Sequence, residues 1–239
     1  MALEVFFTAD DFGAGHDINQ AVVCGHQKGA LNAASLMMGQ SATDDAVQLA
    51  SENPGLRVGW HLHLCDSRPV TCAQWPWGGS PARAGWLIFF SRSARRLMER
   101  EVAAQWELFR ATGLSCAFVN THHHLHVHPT VHACLEEILG PRFEGWLRMG
   151  TPKPLGKDSA QTAGGRVTGW FYHRRRMQSS FRLSDTLWGI DRLFRMKASE
   201  VRDALATLSD GLHEFMFHPR KLANDEDLNA LLELKTVTG

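Results

Sequence analysis

Neither sign of charge is in surplus: Lys+Arg and Asp+Glu each total 25 in a chain of 239 residues. With no net field to attract a polyanion, nucleic acid is not an expected partner. Long apolar runs are missing as well. The longest candidate, Trp86-Leu87-Ile88-Phe89-Phe90, falls far short of the ~20 residues a membrane span needs. The five cysteines (Cys24, Cys65, Cys72, Cys116, Cys134) are scattered and odd in number, with no C-x-x-C pair, which points to reduced thiols rather than a disulfide framework. The amino terminus, MALEVFFTADDFG, enters a strand pattern without a basic-then-apolar leader, so the expected location is cytoplasmic. No internal repeat suggests a solenoid.

What the chain does have is histidine concentrated in one place. Asn120 to Pro129, NTHHHLHVHP, holds His122, His123, His124, His126 and His128, five of the thirteen histidines. Core packing does not call for this, whereas metal or proton chemistry does, because imidazole is a common neutral ligand and titrates near pH 7. The run lies between a short apolar segment, Cys116 to Val119, and a helical pattern from Thr130 to Leu139.

Elsewhere, strand patterns alternate with helical ones. Strands are expected over Glu4–Thr8, Leu31–Met38, Leu56–Leu64, Trp146–Met149 and His213–Phe217. Helices are expected over Ile18–Lys28, from Thr43 as cap to before Asn53, over Ser93–Thr112, from Ser199 to about Leu208, and from Asn224 as cap to about Leu234. Residues 66–92 and 155–185 read as loop excursions around a site. At 239 residues this alternation predicts a single domain spanning 1–239, of α/β class. The expected architecture is a parallel (β/α) barrel, seven-stranded or distorted, with ligands at the carboxyl ends of the strands.

Polar residues recur at those ends: Asp10 and Asp11, His61 and His63, the histidine run, Arg148, and His218. A catalytic metal site needs about three protein ligands and an open position. One carboxylate and two imidazoles from separate strands would provide it, with the neighbouring carboxylate of the Asp10-Asp11 pair free to take a proton from water. His218 is a candidate general acid. Period two puts His61 and His63 on one face of their strand, and His63 is expected to be a core histidine or a pocket wall. His124 and His126 are expected to face the pocket, and Arg148 to orient Asp10 or the acyl oxygen of a substrate.

TADDFG at 8–13, GWHLHL at 59–64, NTHHHLHVHP at 120–129 and FHP at 217–219 resemble, in order and spacing, the YdjC-like carbohydrate deacetylases. That resemblance implies a barrel hydrolase that removes the N-acetyl group of an amino sugar with one divalent metal ion, zinc or magnesium, with manganese or cobalt also suited. It carries Asp11, His61 and His122 over as metal ligands, Asp10 as base and His218 as the histidine of the late His-Pro. His63, His124, His126 and Arg148 are then substrate-side residues. Residues from about 81 to 128, with LSDTLWGIDRLFRM at 183–196, are most similar to the hopanoid-associated branch. That implies a glycolipid substrate, peripheral contact with the inner face of a membrane, and a homodimer. Chitooligosaccharide deacetylation, a two-ion amidohydrolase or phosphoesterase using His61 and His63, and a non-catalytic metal store are the alternatives.

Overall fold

The computed structural model describes residues 2–156, 173, 174, 176 and 179–238. Its strands are β1 (Leu3–Phe12), β2 (Ala33–Leu36), β3 (Arg57–Leu62), β4 (Phe118–Thr121), β5 (Trp146–Leu147), β6 (Thr151–Lys153), β7 (Arg182–Leu183), β8 (Thr186–Trp188) and β9 (Gly211–Phe217). The helices are α1 (His16–Gln27), α2 (Thr43–Glu52), α3 (Pro81–Phe90), α4 (Arg92–Ala111), α5 (Pro129–Leu139), α6 (Ala198–Leu205) and α7 (Glu226–Thr238). The sheet order is β6-β8-β9-β1-β2-β3-β4-β5-β7, and every pairing is parallel. This is the expected curled α/β architecture.

The two ends of that order belong to the same two segments of chain. Trp146 and Leu147 pair with Arg182 and Leu183, and a few residues on, Thr151 to Lys153 pair with Thr186 to Trp188. Counted as interrupted strands, 146–153 and 182–188 each fill one position, and the second also pairs with β9. The pairing therefore runs full circle through seven positions. Ser184 fills the interruption, its hydroxyl accepting from the backbone N–H groups of Met149 and Gly150. Gly150 permits the close approach, since a Cβ there would lie 2.4 Å from the backbone of Thr186.

Period-two alternation sorts side chains to the two faces of this curled sheet. One face packs under the helices, in a cluster that includes Phe12, Trp60, Leu62, Val119, Phe215 and Phe217. The other face carries a separate small cluster of Phe6, Ala33, Phe118, Trp146 and Leu212, with Trp146 stacked on Phe6 at 4.4 Å and on Phe118 at 4.9 Å. These five come from five different strands, so they plug the inside. Two or four residues further along the same faces stand Asp10, Ser35, Asn120, Arg148 and Glu214, all buried. The apolar plug is thus the floor of the polar site.

Several expectations needed correction. Residues 81–90, expected to be loop, form α3: Ser80 accepts from Arg83 N at 3.2 Å and Pro81 occupies the first turn, a helix start that the Trp- and Pro-rich surroundings obscured. Thr43 does not cap α2; its hydroxyl donates to Met37 O instead. The carboxyl of Asp225, rather than Asn224, caps α7 by accepting from Leu228 N. Most of the 155–185 excursion lies outside the described residues, including 170–172 and 175 of the aromatic and arginine stretch 170–176. No described helix is long and apolar enough to cross a membrane.

Candidate active site

Asp10 and Asp11 are sequence neighbours and in a regular strand would point to opposite faces. A bulge prevents this. Ala9 pairs with Ala34 and Phe12 with Leu36, so three steps along β1 match two along β2. Asp11 takes the left-handed conformation, φ 64°, which aspartate tolerates better than most residues. Both carboxylates consequently serve one site.

Three ligand-type side chains converge there. Asp11, His61 and His122 place one donor atom each within 4.8 Å of one another. Asp11 Oδ1 lies 2.9 Å from His122 Nδ1 and 3.3 Å from His61 Nε2. His61 is buried at 1% exposure, whereas Asp11 and His122 are 19% and 18% exposed, so the group can be reached from one side.

The hydrogen-bond network fixes the state of His61. Asn120 Nδ2 donates to Ser35 Oγ at 2.8 Å and Asp10 Oδ1 at 3.3 Å, which leaves Asn120 Oδ1 to face His61 Nδ1 at 2.6 Å. An amide oxygen only accepts, so Nδ1 carries the proton and Nε2 presents a lone pair. That lone pair faces Asp11 Oδ1, and neither atom has a hydrogen-bond partner among the described residues. Two buried acceptors 3.3 Å apart are unfavourable unless something positive lies between them. Donors about 2.1 Å from a tetrahedral ion stand roughly 3.4 Å apart, so the donor set and its spacing fit a divalent cation. A second group, Asp66, His122 and His123, shares His122 but is more exposed.

Asp10 is held differently. Ser35 Oγ donates to its Oδ1 at 2.8 Å, and Arg148 binds it through Nη1 at 2.5 Å and Nη2 at 2.9 Å. His218 Nε2 stands 4.0 Å from Asp10 Oδ2. Burial alone would raise the Asp10 carboxyl, but the Arg148 charge outweighs it and holds the group well below the usual carboxylate range. Asp11 is depressed likewise, burial being outweighed chiefly by its contact with His122. Burial pulls the His122 imidazole down, and Asp11 more than restores it, for a net rise. Asp227 fixes the backbone of the His218 segment, accepting from His218 N at 2.6 Å and from Met196 N at 3.0 Å.

The remaining expected residues occupy distinct places. His124, like His123, has φ 56°; it is partly buried, with its pKa pushed down to about 3 by burial and then by Arg148. His126 is fully buried, its Nδ1 2.8 Å from Thr121 Oγ1. His63 lies past the end of β3 and does not continue the face of His61. Its Nε2 reaches Met38 O at 2.8 Å and its Nδ1 meets Ser67 Oγ at 2.8 Å. Arg148 is fully buried and spent on Asp10 and Glu214, so it orients the carboxylate. Ser35, Asn120 and Glu214 were not singled out from sequence. Only the cross-strand register, once Asp10 is known to face inward, identifies them.

The profile of the YdjC-like protein family matches residues 4–236. A carbohydrate deacetylase of Vibrio campbellii is 33% identical over 129 residues, 53% of this chain and 51% of the relative. One of Geobacillus stearothermophilus is 35% identical over 135 residues, 54% and 53% respectively. The matches thus span about half the length of these curated relatives. A crystal structure from Enterococcus faecalis V583, of a protein named for cellobiose-phosphate cleavage, superposes with a TM-score of 0.66 at 16% identity, covering 99% of this chain and 94% of that one; it supports the fold alone. A family profile that covers nearly the whole chain, over a site assembled from the same ordered motifs, decides the matter: this chain belongs to the YdjC-like family.

Proposed function

We propose that the chain is a metal-dependent carbohydrate deacetylase that hydrolyses the N-acetyl amide of an amino sugar. The observation that carries this reading is the meeting of Asp11, His61 and His122 beside an arginine-held Asp10 and His218. The names of the related Vibrio and Geobacillus proteins point the same way.

Asp11, His61 and His122 would hold a divalent cation, which would supply Lewis acidity to polarise a carbonyl and to lower the pKa of water from 15.7 towards ~7. One carboxylate with two imidazoles suits zinc, and also manganese, cobalt or magnesium. Asp10, kept ionised, accepts the proton of the attacking water. Arg148 fixes the direction in which that carboxylate points. His218 delivers a proton to the departing nitrogen, so that amide and water become acetate and free amine. Partly buried His124 and buried His126 wall the pocket.

The finer reading is that the amino sugar is carried by a lipid, such as an N-acetylglucosaminyl hopanoid. It rests on the similarity to the hopanoid-associated branch and on exposed aromatic side chains near the site. The two-ion alternative built on His61 and His63 has less behind it, because both nitrogens of His63 are engaged elsewhere. The test is to strip the protein of metal, reload it with single ions, and measure acetate released from N-acetylglucosaminyl lipid and from chitooligosaccharides. Metal-dependent release that Asp10→Asn abolishes is the expected result. Release unaffected by chelation would remove the reading, and equal turnover of the two substrates would remove its lipid part.

A further inference from the structure

The described part of the molecule has one surface where large aromatic side chains point together into water. On α3, Trp86, Phe89 and Phe90 are 62%, 47% and 67% exposed, and their rings touch: Trp86 to Phe90 at 5.3 Å and Phe89 to Phe90 at 4.9 Å. Single exposed apolar residues are ordinary, but a contiguous aromatic cluster on a well-formed helix is not. The helix is amphipathic in an inverted sense. Its inner face, Ala84 and Ile88, is already satisfied by the core, and its outer face is the more aromatic of the two.

The charge around this cluster is one-sided. From Pro81 to Met98 there are four arginines and no acidic residue, in a chain whose charges otherwise cancel. Arg83, Arg92 and Arg96 are exposed beside the aromatics, and Arg95 ties the end of α3 down by donating to Phe89 O at 2.9 Å. Aromatic side chains flanked by arginine are the composition that seats a helix in the headgroup region of a bilayer, rings at the acyl boundary and guanidinium groups on phosphate. A neutral apolar partner would leave these arginines without a counter-charge, whereas a layer of phosphate headgroups meets them on both sides of the rings.

The cluster also lies beside the candidate site. Phe89 packs edge-on to His128 at 5.9 Å, and His128 directly follows the 3₁₀ turn His122–Val127 that carries His122. A surface holding Phe89 would hold the histidine turn with it.

We infer that the outer face of α3 is a docking surface for an anionic phospholipid bilayer. The docking does not depend on the proposed reaction and is measured without it. Full-length protein is sedimented with phosphatidylcholine vesicles, with and without phosphatidylglycerol, at low and high salt. Binding is expected to the anionic vesicles alone and to weaken with salt. R92E/R96E is expected to lower partitioning by at least about 30-fold, at ~1 kcal/mol for each arginine lost, and W86S/F90S to abolish it while leaving the melting temperature unchanged. Quenching of tryptophan fluorescence by brominated lipid is expected in the wild type and reduced in W86F. Absence of binding to anionic vesicles would overturn the inference, as would binding that W86S/F90S leaves intact. So would a dimer in analytical ultracentrifugation that W86S/F90S dissociates, since the face would then belong to a second copy of the chain.

Discussion

Arg148 grips both carboxylate oxygens of Asp10, at 2.5 and 2.9 Å, while its Nε donates to Glu214 Oε2 at 2.8 Å. All three side chains are buried, and Glu214 also accepts from Trp146 Nε1 at 3.0 Å. The fork of the guanidinium matches two carboxylates at once, which an ammonium group does not. The site's acidic groups are therefore tied to the apolar floor through Trp146.

Asp10→Asn removes a proton acceptor and turns an amide donor towards Arg148. Acetate release should fall by at least about 100-fold, while cation binding by Asp11, His61 and His122 persists. Breaking one partner of a buried pair costs roughly 3–5 kcal/mol, so Arg148→Ala should cost more stability than Asp10→Asn, because it leaves two carboxylates unpaired. Acetate assays, calorimetric cation titration and urea melts on both variants check this. Asp10→Asn with full activity would remove Asp10 as the base.

Cation binding should raise the melting temperature, because only the folded chain assembles the three donors. At a free cation concentration of 100 Kd the gain is about 2.7 kcal/mol. His61→Ala and Asp11→Ala should each abolish the shift. Asp66→Asn should leave most of it, since Asp66 is 61% exposed and shares only His122 with the inner group. Scanning fluorimetry with zinc, manganese, cobalt and magnesium reads this out. A shift lost in Asp66→Asn but kept in His61→Ala would move the site outward.

How much of this was legible in the sequence depended on whether the determinant was local. Asp10, Asp11, His61, His122 and His218 stand at strand ends, where alternating patterns meet Gly, Pro or a polar run, and those signals survive without coordinates. Closure into a parallel barrel was suggested by the α/β alternation, but the double interruption at Gly150 and Ser184 was not, since each half-strand is only two or three residues long. Period two predicted that His61 and His63 share a face. The strand stops at Leu62, and the carbonyl of Met38 captures His63. Asn120 and Ser35 were invisible as a pair because 85 residues separate them.

Acid should unfold the protein earlier than its carboxylates alone dictate. Burial pushes His63 down from 6.5 to about 4. Between those values the unfolded chain takes up a proton that folded His63 refuses. Its contribution is thus complete above pH 6.5 and lost as pH falls towards 4, at about 1.4 kcal/mol per pH unit. A cation at the neighbouring site acts in the same direction. Urea midpoints at pH 7 and pH 5 test the slope, and His63→Gln should flatten it. A midpoint that does not change over that range would contradict the assignment.

Gly59 lies on the inner face of β3, where a Cβ would meet the Phe118 ring at 2.5–2.6 Å. That ring cannot yield, being fully buried and stacked on Trp146. Gly59→Ala should cost about 1–3 kcal/mol through overpacking of the floor. The double variant Gly59→Ala/Phe118→Leu should recover part of the loss. Equal stability of wild type and Gly59→Ala in urea would show that the floor is looser than the stacking implies.

Glu101, on the buried face of α4, anchors the segment that leads from His63 towards α3. Its carboxylate accepts from Val70 N at 2.6 Å, Thr71 N at 2.8 Å, Thr71 Oγ1 at 2.5 Å and Gln105 Nε2 at 2.9 Å. Gln105 in turn donates to His63 O and accepts from His63 N, so one carboxylate coordinates both the loop and the end of β3. Glu101→Ala strands two backbone donors and a hydroxyl, at roughly 1–3 kcal/mol for each one left unsatisfied. Segment 66–79 carries Asp66, the partner of His123 at 3.2 Å, and not the inner donor set. The expected signature is faster proteolysis within 66–79 and a raised KM with kcat nearly unchanged. Were kcat to fall as far as in Asp10→Asn while the loop stayed protease-resistant, Glu101 would have to act on the reacting centre and not on the loop.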